Sequence, residues 1–369
     1  AVGSKSLDAN TDGQTNSALG YATLGANTGG DDNIAIGHEA MESNTTGSRD
    51  VSIGRDALEQ NNANENVAIG YLAMEDNTTG TRNTAVGTYA LYNNTTNNDN
   101  TAVGYYALAT STTGYENTAM GRNALAGCTT GCCNTAVGVQ ALNTSTTAGT
   151  CTMVGMYAGQ AITTGNANTG VGYMALYSNQ TGTDNVAMGK QALQDVSTGS
   201  NNIAFGLDSG RSGSPGGSIS TGSNNIILGN NSHTYLAAKI SLSVTSDKRD
   251  KTDIKDFTHG LSWIKKLRPV TYHWDQRSDY SDDLSIVPDG THKKSKLNIG
   301  LIAQEELEVE KEHGYGDDKD SMLITDLSED GNHFSMKYER LVPILINAVK
   351  ELSAKNDALE ARLATLEGS

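Results

Sequence analysis

Through residues 1–229, apolar positions come in short clusters separated by polar corners, never in the long 3.6-residue stripe of a helix. One cluster has the length of a short strand, as in Thr84-Ala85-Val86 before Gly87; an Ala-Leu pair follows, as in Ala90-Leu91. Asn, Thr and Gly dominate the intervals, so short strands joined by corners fit and helices do not. A glycine closes each strand run every 17 residues, at Gly3, Gly20, Gly37 and Gly54, then from Gly70 to Gly206 after one 16-residue step. The repeat Asn-Thr-Ala-Val-Gly-x-x-Ala-Leu is clearest at Asn83 to Leu91, Asn100 to Leu108, Asn117 to Leu125 (with Met120 for Val) and Asn134 to Leu142. No unit can bury its few apolar side chains alone, so stacking must supply the core, and a parallel β-solenoid or β-roll is predicted. About thirteen coils at the inter-strand spacing of about 4.8 Å make a rod on the order of 60 Å long.

Composition sharpens this reading: 36% of residues are hydrophobic and 5% aromatic, against 41 glycines and four prolines, which excludes a thick globular core. A regularly spaced apolar ladder also separates the chain from Gly-rich disorder. A narrow roll exposes strand edges and buries little, so side-by-side closure into a homotrimer is expected. Ala, Val, Ile and Leu of the repeats then face either the roll interior or the trimer axis; the pattern leaves both open.

The formal charge is −16, and only eight of the 26 Lys and Arg residues precede Ser246, so no basic stripe exists to release counterions from nucleic acid. No run of eighteen apolar residues and no signal peptide are seen, which argues against membrane insertion. The chain opens in mid-repeat at Ala1-Val2-Gly3, and an upstream module joining the shaft to a larger body is expected. Cys128, Cys132, Cys133 and Cys151 lack the paired spacing of a zinc site, and no metal or cofactor is expected. Cys133 and Cys151 lie on neighbouring coils, which leaves a bridge and buried free thiols as alternatives.

After Gly206 the pattern loosens, echoes once at Asn225 to Gly229, and passes through Tyr235-Leu236 and Ile240 to Val244, read as a last strand. Residues 1–229 are thus assigned to the shaft, 230–245 to a terminal strand and linker, and 246–369 to a second domain; 18 of the 26 basic residues lie from Lys248 onward.

Four blocks of this second domain carry a resemblance. They are Ser246-Asp247-x-Arg249-x-Lys251-x-x-Ile254, Leu267-Arg268-Pro269-Val270-x-Tyr272-x-Trp274, Asn298-Ile299-Gly300-Leu301-Ile302-Ala303-Gln304-Glu305, and Tyr338-x-x-Leu341 through Val349-Lys350-Glu351-Leu352. In this order they resemble the intramolecular chaperone auto-processing domain that ends many phage tailspikes, tail fibres and endosialidases. The resemblance implies an α+β domain that promotes trimerisation and then cuts itself away before the motif serine, between Thr245 and Ser246. It implies a dyad of Ser246 as nucleophile and Lys251 as base, the lysine able to serve once burial disfavours its charged ammonium form and lowers its pKa. Gln304, or second Arg249, is the candidate donor to the oxyanion. A Ser-x-x-x-x-Lys spacing by itself marks two solvated surface residues. Trp263, Tyr272 and Trp274 read as core or trimer-contact aromatics, His273 as a solvated strand residue, and the acidic runs at Asp279 to Asp283 and Asp317 to Asp320 as turns that calcium could use.

From Leu341 to Leu366 a heptad register places Val342, Val349, Asn356 and Leu363 at one core position and Leu345, Leu352, Leu359 and Leu366 at the other. A coiled-coil helix over 342–366 is predicted, with Asn356 setting register. With the resemblance, the expected protein is a virion tail fibre or tailspike segment, made in the host cytoplasm. It would bind a host glycan or protein receptor and join other tail proteins through the missing upstream part. The repeats are also similar to trimeric autotransporter adhesin heads, so an adhesin or ligand-binding solenoid without cleavage is one alternative. Thr-Thr corners such as Thr45-Thr46 and Thr78-Thr79 would serve that role. A glycan-degrading spike is the other, although Glu39, Asp56 and Glu75 look sporadic and no inserted catalytic loop interrupts the repeats.

Overall fold

The computed structural model describes all residues except 234, 238, 240–243, 282–284, 330 and 369, so the final strand read over Ile240 to Val244 lies largely outside the described residues. The chain divides into two compact units, Ala1–Ser232 and His233–Ser369.

The first unit is a parallel β-solenoid. Thirteen three-residue strands, from β1 (Ser17–Leu19) to β13 (Ile226–Leu228), pair in sequence order into one parallel sheet, with Ala85 opposite Ala102 and Ala102 opposite Ala119. Side chains alternate along a strand, so the central residue turns inward and its two neighbours outward. Ala35, Ala68, Ala85, Ala102, Ala119 and Ala136 are accordingly buried completely. The question left open by the pattern is thereby answered: the strand Ala and the Ala-Leu pair fill the interior, whereas the flanking Val, Ile and Met face outward. Leu19, Ile36, Ile69, Met120, Met188, Phe205 and Leu228 are all exposed, and Tyr21, Tyr71, Tyr105 and Tyr173 are exposed just past the glycine. One face of the shaft is therefore an apolar stripe.

The strand-closing glycine is required twice over. Gly104 sits at φ +134°, and a Cβ built there would lie 2.6 Å from the carbonyl oxygen of Gly121 on the next coil. The Ala-Leu corner is less expected. Leu58, Leu91, Leu108 and Leu125 adopt φ of +50°, +51°, +49° and +51°, a region costly for a branched side chain, and all four are fully buried. Coil-to-coil bonds such as Leu91 N–H to the Ala107 carbonyl (3.0 Å) hold this geometry.

Inside the other corner runs an asparagine ladder. The Asn83 N–H donates to Oδ1 of Asn66 (3.0 Å), while its Nδ2 donates to the Asn97 carbonyl (2.7 Å). Asn100, Asn117 and Asn134 repeat the arrangement, so each amide satisfies buried backbone on adjoining coils. Cys151 takes the next rung: its N–H donates to Asn134 Oδ1 (3.0 Å) and its Sγ to the Gly165 carbonyl (3.3 Å). Cys133, one residue before the ladder, lies instead against Glu116 (3.6 Å), and all four cysteines are free. The possible Cys133–Cys151 bridge is not formed, because ladder and pre-ladder residues face opposite ways.

Irregular coils compensate one another. Met153 replaces a strand Ala, and where it would crowd the core Gly159 replaces the corner Leu and Gly170 the next strand Ala; Cβ atoms there would lie 2.8 Å and 2.6 Å from Met153 Sδ. The exposed Thr ladders donate to the next coil, as Thr78 Oγ1 does to Thr95 O (2.9 Å) and Thr112 Oγ1 to Thr129 O (3.2 Å), so these hydroxyls serve stacking.

Asp50 interrupts the ladder. It accepts from Asn66 N–H (2.7 Å) and Asn61 Nδ2 (3.0 Å), yet burial pushes its carboxyl up to about 7. A folded-state value above the ordinary carboxylate range means that stability is fully present in acid and falls as pH climbs toward 7. Asp50→Asn should therefore raise the melting temperature of the shaft at pH 8, by a gain on the order of 2–4 kcal/mol, and leave it nearly unchanged at pH 4. Melting curves at both pH values, with equal shifts in the two, would refute this.

The second unit is α+β. Its core gathers Trp263, on the one-turn helix α1 (Leu261–Ile264), with Val309 of α2 (Ala303–Glu312), Ile324, and Leu341 and Ile344 of α3 (Leu341–Glu367). Among the described residues two antiparallel ribbons join it, β14 (Val270–Tyr272) with β15 (Asn298–Gly300) and β16 (Thr325–Leu327) with β17 (Phe334–Met336). Helix α3 starts against this core through Leu341, Ile344 and Ala348, and Asn347 Nδ2 donates to Phe257 O (2.5 Å). Its heptad residues Val349, Leu352, Leu359 and Leu363 are all exposed, as is Asn356.

Candidate cleavage site

Asp247 begins the local structure by capping the single-turn 3-10 helix Lys248–Asp250, its Oδ1 accepting the Arg249 N–H at 2.9 Å. The turn closes when the Lys251 N–H donates to Lys248 O (3.2 Å). This folds the Lys251 side chain back along the chain, and its Nζ donates to Ser246 Oγ at 2.5 Å. The two members of the proposed dyad are thus in direct contact, the contact that a proton transfer between them requires. Thr245 and Ser246 are exposed on a stretch without regular structure.

The burial expected for the base is not present in the single chain, where Lys251 is exposed. The oxyanion donors also stand apart. The Arg249 guanidinium is engaged by Asp247 (2.6 Å) and holds that carboxyl below its usual range. Gln304, exposed at the second position of α2, makes no side-chain hydrogen bond to Thr245 or Ser246 among the described residues.

The remaining blocks of the resemblance do meet. Arg268 pairs with Glu305, Val270 and Gly300 are partners in the β14–β15 ribbon, and Tyr338 Oη accepts the Leu301 N–H at 2.9 Å. Trp263 is wholly buried, Tyr272 half-buried and Trp274 exposed; His273 Nδ1 lies 3.0 Å from Lys294 O. Asp279 pairs with Lys294 (2.8 Å), and Asp318 Oδ1 accepts the Ser321 N–H (2.8 Å), so these acidic residues make ordinary turn contacts.

Two buried carboxylates went unremarked in the sequence. Glu310 accepts three backbone N–H groups, from Leu323 (2.8 Å), Ile324 (2.9 Å) and Thr325 (2.7 Å), and so pins the chain entering β16. Glu306 accepts from Trp263 Nε1 at 2.8 Å, and burial, with the Glu310 charge nearby, pushes it up to about 7. Their i,i+4 spacing on α2 beside Val309 was the available signal.

Residues 246–315 match the family described as the chaperone of endosialidase, a peptidase family, and the match begins at Ser246. No curated protein and no solved structure matches the chain. The molecule is a β-solenoid shaft followed by a segment that matches the chaperone-of-endosialidase family over residues 246–315. That combination supports a protein of the tail-fibre or tailspike type. No helix among the described residues is long and apolar enough to cross a membrane.

Proposed function

We propose that the chain is a segment of a phage tail fibre or tailspike whose residues 246–369 bring three copies together, template the shaft, and then detach by cutting the Thr245–Ser246 bond. The observation that carries this reading is the coincidence at Ser246: the family match starts there, and Lys251 Nζ touches its Oγ. Neutral Lys251 accepts the Oγ proton as Oγ attacks the Thr245 carbonyl carbon; the C–N bond breaks, and the Ser246 nitrogen takes that proton back from Lys251. Thr245 is then an ester on Ser246, and water hydrolyses it to a Thr245 carboxylate and a free Ser246 hydroxyl.

An exposed ammonium is a poor base, so the environment that neutralises Lys251 is supplied by association of copies. The exposed seam of α3 and the apolar stripe of the shaft support that association. Cleavage thereby waits for assembly. The released shaft serves in the virion as a stalk that meets a host-surface glycan or protein and joins other tail proteins.

Expression of the unaltered chain should give two fragments by mass spectrometry, with a new N-terminus at Ser246, whereas Ser246→Ala and Lys251→Ala should each stay as one chain. Cleavage at the same rate in either variant eliminates the dyad.

A further inference from the structure

The acidic residues of the early coils are not scattered once the coils are stacked. Glu39 and Asp56 each stand two residues beyond a strand-closing glycine, one coil apart, and the Asp56 N–H donates to the carbonyl of His38 at 3.0 Å. Stacking thus brings His38 Nδ1 to 3.3 Å from Glu39 Oε2 and 3.8 Å from Asp56 Oδ1. All three donor atoms lie within 4.8 Å of one another.

Asp56 is the informative member. It is only 7% exposed, its Oδ1 is buried without a hydrogen bond, and that oxygen is the one turned toward His38. Its other oxygen is held by Arg55 Nε at 3.1 Å, which fixes the carboxylate plane. The imidazole is oriented in turn by stacking on Tyr21, with centroids 5.1 Å apart. A buried acceptor left open costs free energy that a ligand would recover.

We propose that His38, Glu39 and Asp56 bind one divalent d-block cation, of which Zn²⁺ is the representative. Ligands 2.0–2.2 Å from a tetrahedral zinc sit roughly 3.3–3.6 Å apart, close to the two His38 contacts. A ring nitrogen among carboxylates selects such an ion over the all-oxygen preference of Mg²⁺. Bound there, the ion ties two adjacent coils together and stabilises the shaft by mass action.

The test uses the full chain, free of affinity-tag histidines and metal-stripped, with Cys132→Ser and Cys133→Ser so that the half-exposed cysteines do not compete. Calorimetric titration with Zn²⁺ should show one equivalent more in this parent than in the same chain carrying His38→Ala or Asp56→Asn. Zn²⁺ should raise the shaft melting temperature in the parent alone, and Mg²⁺ in none. His38 is exposed, so its removal leaves the fold intact even if the Asp56 change does not. Equal stoichiometry in parent and His38→Ala, or no Zn²⁺-dependent shift in the parent, overturns the proposal.

Discussion

Gly104→Ala should lower the stability of the shaft by about 3 kcal/mol or more, while Gly29→Ala changes it little. At position 104 the backbone is at φ +134°, where an L-residue is strained whatever its surroundings, and the added methyl meets the Gly121 carbonyl oxygen at 2.6 Å. That carbonyl belongs to the next coil, so relief requires prising apart two coils joined by the Gly121 N–H to Val103 O bond (2.8 Å). Because the interior is a single stack, a separation there removes contacts on both sides of the break. Gly29 lies on an exposed corner with nothing within 4 Å of its would-be Cβ. Calorimetric melting of both variants beside the parent chain decides the matter; comparable losses at the two positions would show that the glycine period reflects turn propensity and not coil contact.

The same period explains how much of the fold could be read from the chain. A 17-residue recurrence of glycine, a strand run and an Ala-Leu pair suffices to predict parallel stacking, because every coil repeats the same local chemistry. It does not predict that Leu58 or Leu108 would sit at positive φ, since no local preference favours that region for leucine; only the bonds from neighbouring coils do. Nor does it separate Ala85 from Val86 by destination, because both are apolar and the strand is too short for alternation to declare itself. The Met153, Gly159 and Gly170 exchange is visible only when three residues from two coils are placed in one layer.

Sites are harder, and the reason is physical. Ser246 and Lys251 stand out through resemblance, whereas their spacing alone describes any solvated pair; their contact depends on the cap that Asp247 provides. Glu39 and Asp56 look unconnected along the chain because the relevant neighbour is one coil away. Reading each residue by its place in the coil turns that separation into adjacency, and the same step would have exposed Asp50 as the one carboxylate in an asparagine row.

Replacing Leu352 and Leu359 together by Asp should yield a monomer that is neither cleaved nor able to form a stable shaft assembly. Both leucines occupy the d position of the heptad register, and both are exposed although the helix that carries them packs on its own domain through a different face. Burying two such side chains stabilises by roughly 3–6 kcal/mol per chain relative to exposure, and a charge at each adds repulsion between copies at the seam. Light scattering should report the molar mass of one chain in place of three. If association also supplies the environment that neutralises Lys251, the double variant will remain uncut even though Ser246 and Lys251 are untouched. A trimer in the double variant rejects α3 as the clasp; a monomer that still cleaves separates the two functions and places the base entirely within one chain. Asn356→Leu supplies the complementary case, because removing the polar residue from the seam should raise the stability of the assembly while loosening its choice of oligomeric state, which the same molar-mass measurement reads directly.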